Sequence, residues 1–277
     1  MNIDFFIQDS SSKFIEIRGE DKAEFLQGLI SNDIYKCKND KPIYSCFLSP
    51  QGKFLADFFI FRQNDNYVIE IHEKYFESFL SKLKIYKLRS NVILKHNENI
   101  TSIILFTNKD FEIKDTIIKF IDPRKKNIGK KVYINNKNLP KIDNLEEMYF
   151  NKYKEILMKN LVPFTPDDLN ENKSLLLENN FQNLNAIDWD KGCYVGQEIT
   201  ARMKYRSLIK KQIYNLEIIS GNINIGDSIE INNNKVGYVI SKVNNYILCM
   251  LSIKSANTII ENKTNLEIND SIILNFL

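Results

Sequence analysis

Over residues 14–18 apolar and polar side chains alternate as Phe14-Ile15-Glu16-Ile17-Arg18, the period of a half-buried strand. Gly19 ends the run, and Glu20 or Asp21 can start a helix through Phe25, Leu26, Leu29 and Ile30. Two β-rich runs, 44–48 and 54–62, flank the turn signal Ser49-Pro50-Gln51-Gly52 and predict a hairpin. A further strand is expected over 67–71. From 73 to 86 the period changes: Phe76, Phe79, Leu80 and Leu83 recur at helical spacing, the core face of an amphipathic helix. Short apolar runs at 92–94, 103–106, 117–121 and 132–134 continue an α/β alternation. Tyr149, Tyr153, Ile156 and Leu157 place another helix over 144–159, and Pro163 and Pro166 mark the connection after it. Residues 197–205 hold strong helix formers and no Gly or Pro.

Beyond Lys211 the pattern is all-β. Runs at 212–218, 228–231, 236–243, 247–253, 266–268 and 272–276 are separated by turns such as Gly226-Asp227. Closing such short strands into a barrel removes exposed edges. The expected architecture is therefore α+β, an α/β region over 1–208 followed by a small C-terminal antiparallel β-barrel over 209–277.

At 277 residues the chain can bury a full core, and 43% hydrophobic with 26% charged residues is ordinary for a globular protein. The formal net charge of +3 is too small to argue for nucleic acid. Cys37, Cys46, Cys193 and Cys249 are scattered, with no C-x-x-C, which speaks against a disulfide framework and for a reducing compartment. The first residues lack a basic stretch followed by a long apolar run, and no apolar run reaches membrane-spanning length. A cytoplasmic protein without a membrane partner is the expectation.

The densest chemistry lies in Lys191-Gly192-Cys193-Tyr194-Val195-Gly196-Gln197-Glu198, followed by Ala201-Arg202 and Lys204-Tyr205-Arg206. It sets one thiol beside a lysine and ahead of a helix start, surroundings that favour a thiolate. Gly192 and Gly196 allow tight turns and close backbone approach. Cys37 falls in a polar loop and is expected to be reagent-accessible, whereas Cys46 and Cys249 sit in apolar runs and should be protected. Trp189 reads as packing under the loop or as stacking on a ligand ring, and the five cations Arg202, Lys204, Arg206, Lys210 and Lys211 as a solvated face or an anion attractor. Asp57, between Ala56 and Phe58 in an apolar strand, is costly to bury without a partner; it is a ligand contact or a residue on the strand's polar side.

The stretch 191–198 resembles the signature K-G-C-Y-x-G-Q-E of the YgfZ-type folate-binding family, whose members act with iron–sulfur proteins and share a fold with the glycine-cleavage T-protein. Further segments are similar to the family: the run ending Ser31-Asn32-Asp33, the hairpin 48–53, Asp122-Pro123-Arg124 with Gly129, Leu175 to Asn180, and Val236-Gly237-Tyr238. Lys130 and Lys131 stand where the family pattern ends on an arginine, a swap that alters any bidentate contact.

The resemblance implies a T-protein-like folate-binding fold and tetrahydrofolate, or a one-carbon-substituted folate, as cofactor. By the same resemblance Cys193 would be the reactive group. Asp57, Glu178, Lys191, Tyr194, Gln197, Glu198 and Arg202 would serve the folate, with Glu178 aligned to a glutamate that holds a pterin edge. A carboxylate suits that edge because it accepts two parallel N–H bonds.

Three functions compete. The resemblance implies a folate-dependent accessory factor for iron–sulfur proteins or their assembly machinery, with clients that include tRNA-modifying enzymes. An aminomethyltransferase and a tRNA-binding protein are the alternatives. The Cys-containing signature speaks against the first of these, and the small net charge, which leaves no direct nucleic-acid partner expected, against the second.

Overall fold

The computed structural model describes residues 4–109, 112–136, 142, 145–231, 234–262, 264–268 and 271–277. Three sheets organise them. The first runs Ile43–Leu48, Phe54–Gln63, Asn66–His72, Ser12–Arg18 and Ile93–His96, every neighbour antiparallel. The predicted hairpin is its edge, and the helix Glu73–Lys87 packs on it through Tyr75, Phe76, Phe79 and Leu83. The side chain of His72 caps that helix, its Nδ1 accepting from the Lys74 amide at 3.1 Å.

The second sheet orders Glu146–Glu147, Phe5–Asp9, Thr101–Phe106, Lys130–Ile134 and Thr116–Ile121. Only its first pair is parallel, so the α/β run expected from the sequence is built almost wholly from antiparallel ladders. The helix expected over 144–159 begins at Phe150. Glu146 and Glu147 pair instead with Phe5 and Phe6, and Asn144 lies outside the described residues.

The third sheet is the C-terminal barrel: Ser228–Ile231, Asn234–Val243, Tyr246–Ser252, Lys211–Ser220, Ile272–Phe276 and Leu266–Ile268, antiparallel throughout, with its two edge strands close enough to nearly close it. It has its own apolar centre, including Leu216, Val239, Leu251 and Leu274. One helix, Ile253–Asn262, interrupts what the sequence pattern read as all-β. Asn215 ties the barrel to the end of the helix Phe150–Lys159, donating to the carbonyls of Met158 (3.0 Å) and Lys159 (2.9 Å). No helix among the described residues is long and apolar enough to cross a membrane.

A buried charge cluster locks the first two sheets together. Glu70 accepts from Lys131 Nζ (2.7 and 2.9 Å), Ser12 Oγ (2.6 Å), Ser102 Oγ (2.7 Å) and the Tyr133 hydroxyl. Burial alone would raise its pKa, but Lys131 and the hydroxyls outweigh that and hold the carboxylate below its ordinary range.

Candidate functional site

The helix Gln197–Tyr205 starts where the sequence places it. Ahead of it, Lys191 turns inward and is buried. Its ammonium donates to the carbonyls of Gln27 (2.8 Å), Ile30 (2.7 Å) and Asn32 (2.9 Å) and sits 5.0 Å from the Tyr194 ring centre. These oxygens lie at and beyond the end of the helix Lys22–Gln27, where carbonyls lack helical partners. Burial pushes the Lys191 ammonium down to about 8, while Asp33 and Asp188 pull it up. The expected lysine beside the thiol thus serves backbone oxygens instead.

Other contacts hold the loop. Val195 N–H donates to Gly28 O at 3.0 Å, and the Gln197 side chain accepts from the Tyr194 amide at 3.3 Å. Gly196 has φ +81°, and a Cβ there would lie 2.3 Å from Ser49 O. Gly52 is also tight: its Cβ would lie 2.9 Å from Gly196 O. The thiol loop and the hairpin turn therefore meet glycine against glycine. At Gly192 a Cβ would meet nothing within 4 Å.

That open side leads to Cys193, which is exposed, while Cys37, Cys46 and Cys249 are buried. The expectation of a reactive Cys37 is corrected. Its Sγ lies 3.4 Å from Ile60 O, and burial pushes the thiol up to about 12. Burial raises Cys46 and Cys249 as well. Around the loop, Glu198, Arg202 and Tyr205 are exposed, and Lys204 lies 3.7 Å above the half-buried Trp189 ring. Trp189 packs against the core as expected.

Asp57 lies elsewhere, in the wall of a small cleft, and is the one residue of 54–61 left partly accessible. It accepts from Tyr44 Oη at 2.6 Å and from Thr165 Oγ1. Burial raises its pKa, against the pull of these hydroxyls and of Arg124. His72, Arg124, Lys131 and Tyr153 line the same cleft. Arg124 is buried, bidentate on Asp122 (3.0 and 2.7 Å), bonded to Tyr153 Oη (2.7 Å) and stacked near Tyr44 and Phe59. Of Lys130 and Lys131, Lys131 brings a cation here, 4.3 Å from the Phe59 ring centre.

Glu178 is not part of that wall. It lies on the turn Leu177–Asn179, with its carboxylate 3.6 Å from Lys211 Nζ. Lys191, Tyr194 and Gln197 thus hold the loop that carries Cys193 rather than facing its thiol, Glu198 and Arg202 lie on the following helix, and Asp57 and Glu178 lie on separate elements. Sequence reasoning missed Tyr44, Glu70, His72 and Thr165. Glu70 carried the signal that exposed Asp57: a carboxylate inside the apolar run Tyr67-Val68-Ile69-Glu70-Ile71.

No family model matches the chain. Among curated proteins it is 30% identical to an iron–sulfur cluster assembly factor IBA57 homolog, mitochondrial, of Mycosarcoma maydis, over 72% of this chain and 53% of that protein. It is 29% identical to the tRNA-modifying protein YgfZ of Buchnera aphidicola, over 86% of this chain and 82% of that one. These relatives bear out the YgfZ-type resemblance. The chain spans about half the length of the IBA57 homologs it matches. Among solved structures, the glycine cleavage aminomethyltransferase T of Bartonella henselae superposes with a TM-score of 0.75, covering 99% of this chain and 85% of that one. At 12% identity this shows the fold, a T-protein-like region followed by the barrel.

Proposed function

We propose that this chain is a tetrahydrofolate-binding accessory factor for the assembly or repair of iron–sulfur proteins, tRNA-modifying enzymes among its clients. The observation that carries the reading is Cys193, the one exposed thiol of four, on a loop fixed from beneath by Lys191 and Gly196. The names of the YgfZ and IBA57 relatives support it from outside. In this reading Cys193 meets the iron–sulfur client, with Glu198 and Arg202 on the helix beside it. Asp57 accepts ring N–H groups of the folate. Glu178 is its counterpart at the junction with the barrel, which requires the ligand to displace Lys211.

The donor and acceptor set of the Asp57 cleft fits a planar heterocycle. Its open space, about 60 Å³, falls below the roughly 300–1,000 Å³ of ligand sites. Entry of the ring therefore moves part of the wall.

Calorimetry of tetrahydrofolate with native protein and with Asp57→Asn and Glu178→Gln tests the site. Weaker binding by each variant is expected, and equal affinity removes that residue from it. A strain lacking the protein, assayed for several iron–sulfur enzymes and rescued with native or Cys193→Ala protein, tests the role of the thiol. Turnover of an aminomethylated carrier protein would favour the aminomethyltransferase reading instead.

A further inference from the structure

The barrel meets the helix Phe150–Lys159 across a cavity of about 360 Å³, a volume within the range of small-molecule sites. Asp167 and Asp168, on the helix Thr165–Asp168, form a second wall, and residues 240–243 of the strand Asn234–Val243 a third. A bulge shapes that third wall: pairing with Tyr246–Ser252 slips by one residue between Val239 and Ser241. Side chains of a regular strand alternate, so Ser241 would share the side of Val239, which lies in the barrel centre. The extra residue turns Ser241 out of the barrel and into the cavity wall.

Two polar groups of these walls lack the partners their burial calls for. Ser241 is 8% exposed, and its Oγ has no hydrogen-bond partner among the described residues. Asp168 accepts from the Phe164 amide at 2.7 Å, and no ammonium or guanidinium pairs with it among the described residues. The cations of the cavity are engaged elsewhere. Lys154 is held by Asp167 at 2.6 Å and lies over the Phe164 ring, and Lys242 donates to Asn222 Oδ1 (3.1 Å) and Ile223 O (2.9 Å). Burial raises the Asp168 carboxyl to about 6, against the pull of the nearby Ser241 hydroxyl and the Phe164 amide. At neutral pH it is ionised, an acceptor without a counter-ion beside a hydroxyl without a partner. Met158, Val162, Phe164, Ile240 and Val243 supply the apolar surface around them.

We propose that this cavity binds a primary alkylammonium, its N–H groups donating to Asp168 and Ser241 and its carbon chain lying against Met158, Val162 and Ile240. An anion would meet the unpaired carboxylate, and a neutral alkyl group would leave both polar groups unsatisfied. Three N–H donors on one small head serve both at once. A free amine and a lysine side chain of a partner protein share this chemistry. The inference does not rest on the folate reading, since none of Asp57, Glu178 and Cys193 lines the cavity.

The test titrates the protein with n-butylamine, n-butanol and Nα-acetyl-lysine N-methylamide, followed through the amide NMR signals of Phe164 and Ser241. Native protein should bind the amine about tenfold more tightly than the alcohol, the size that a hydrogen bond to a charged group supplies. Asp168→Asn keeps an acceptor for the Phe164 amide and should erase that preference. Ser241→Ala should weaken amine binding about threefold. Without ligand it should melt no lower than native protein, because it removes a buried hydroxyl that bonds to nothing. Equal affinity for amine and alcohol, an amine preference that survives Asp168→Asn, or no saturable shift with either compound overturns the inference. Should Asp168→Asn not fold, Ser241→Ala decides alone, and undiminished amine binding overturns it. Blocked lysine binding as tightly as n-butylamine upholds the site and assigns it to a partner's lysine; n-butylamine binding with the blocked lysine excluded upholds it for a free amine.

Discussion

The thiol loop and the Asp57 cleft are built on opposite plans. The loop is contiguous: one octapeptide supplies the thiol, the inward lysine, the tight glycine and the side chain that meets its own backbone. The cleft is assembled from Asp57, His72, Arg124, Lys131 and Thr165, brought from several separate elements and already bonded to one another or to neighbours. One presents a group to solvent on a fixed frame. The other stores charge in a closed network that a ligand must enter. Their failures should therefore differ in kind, by loss of fold at the network and by loss of chemistry at the loop.

The largest effect is expected at the network. Lys131→Met leaves Glu70 buried without its counter-ion, and breaking a buried pair on one side costs about 3–5 kcal/mol. Urea denaturation reads this as a lower midpoint at unchanged slope. Adding Glu70→Gln should restore part of the loss, because the remaining hydroxyl donors then face a neutral acceptor. If the single variant is as stable as native protein, the cluster does not hold the two sheets.

The contrast in plan also explains what the sequence disclosed. The hairpin, the helix Glu73–Lys87, the helix Gln197–Tyr205 and the barrel strands follow from local periodicity, and all are present. The loop was legible because its contacts are carried by adjacent residues. The Asp57 cleft was not, because partners such as Thr165 lie 108 positions away in the chain. The burial of Cys37 is of the same long-range kind: polar neighbours in sequence say nothing of the strand Phe54–Gln63, whose Ile60 carbonyl its sulfur reaches. The inward turn of Lys191 depends on carbonyls about 160 residues earlier, so its place beside the thiol was read and its direction was not. The strand Phe5–Asp9 and the helix Ile253–Asn262 were local patterns left unread.

Two glycines of one loop sharpen the comparison at the next size of effect. Gly196→Ala places a Cβ at a positive φ and against Ser49 O, and should cost about 1–3 kcal/mol. Gly192→Ala meets open space and should stay within about 0.5 kcal/mol of native. Thermal melts of the two variants side by side check the pair. Equal losses would show that the loop is not held by its contact with the hairpin turn.

At Asp57 the sign reverses. Its carboxyl is raised by burial, so the folded state binds a proton that the unfolded state has already released. Stability from this group is present below the unfolded pKa of about 3.9 and is lost as pH rises through the folded one. At neutral pH the buried charge is a cost. Asp57→Asn should therefore match or exceed native stability above that range, by up to about 1 kcal/mol. Its stability should also vary less with pH across the same window, while tetrahydrofolate binding weakens. A variant that is less stable at neutral pH would mean that the two hydroxyl bonds more than offset the cost of burial.

The smallest effect on the fold is expected at Cys193, and this is what separates it from the other three thiols. Its side chain is exposed beside a glycine with empty space around it, so Cys193→Ala removes almost no packed surface and should leave the melting temperature unchanged. Cys37→Ala empties a buried position against Ile60 and should lower it. Labelling reads the same difference without mutation. Native protein should take up one equivalent of an alkylating reagent, at Cys193, and unfolded protein four. Peptide mapping after brief labelling decides the matter. If Cys37 reacts as fast as Cys193 in native protein, the first sheet opens over its edge and the loop is not the distinctive chemical feature of the surface. If neither reacts, the loop closes over its own sulfur, and a client could reach Cys193 only after the contacts of Lys191 and Gly196 had released it.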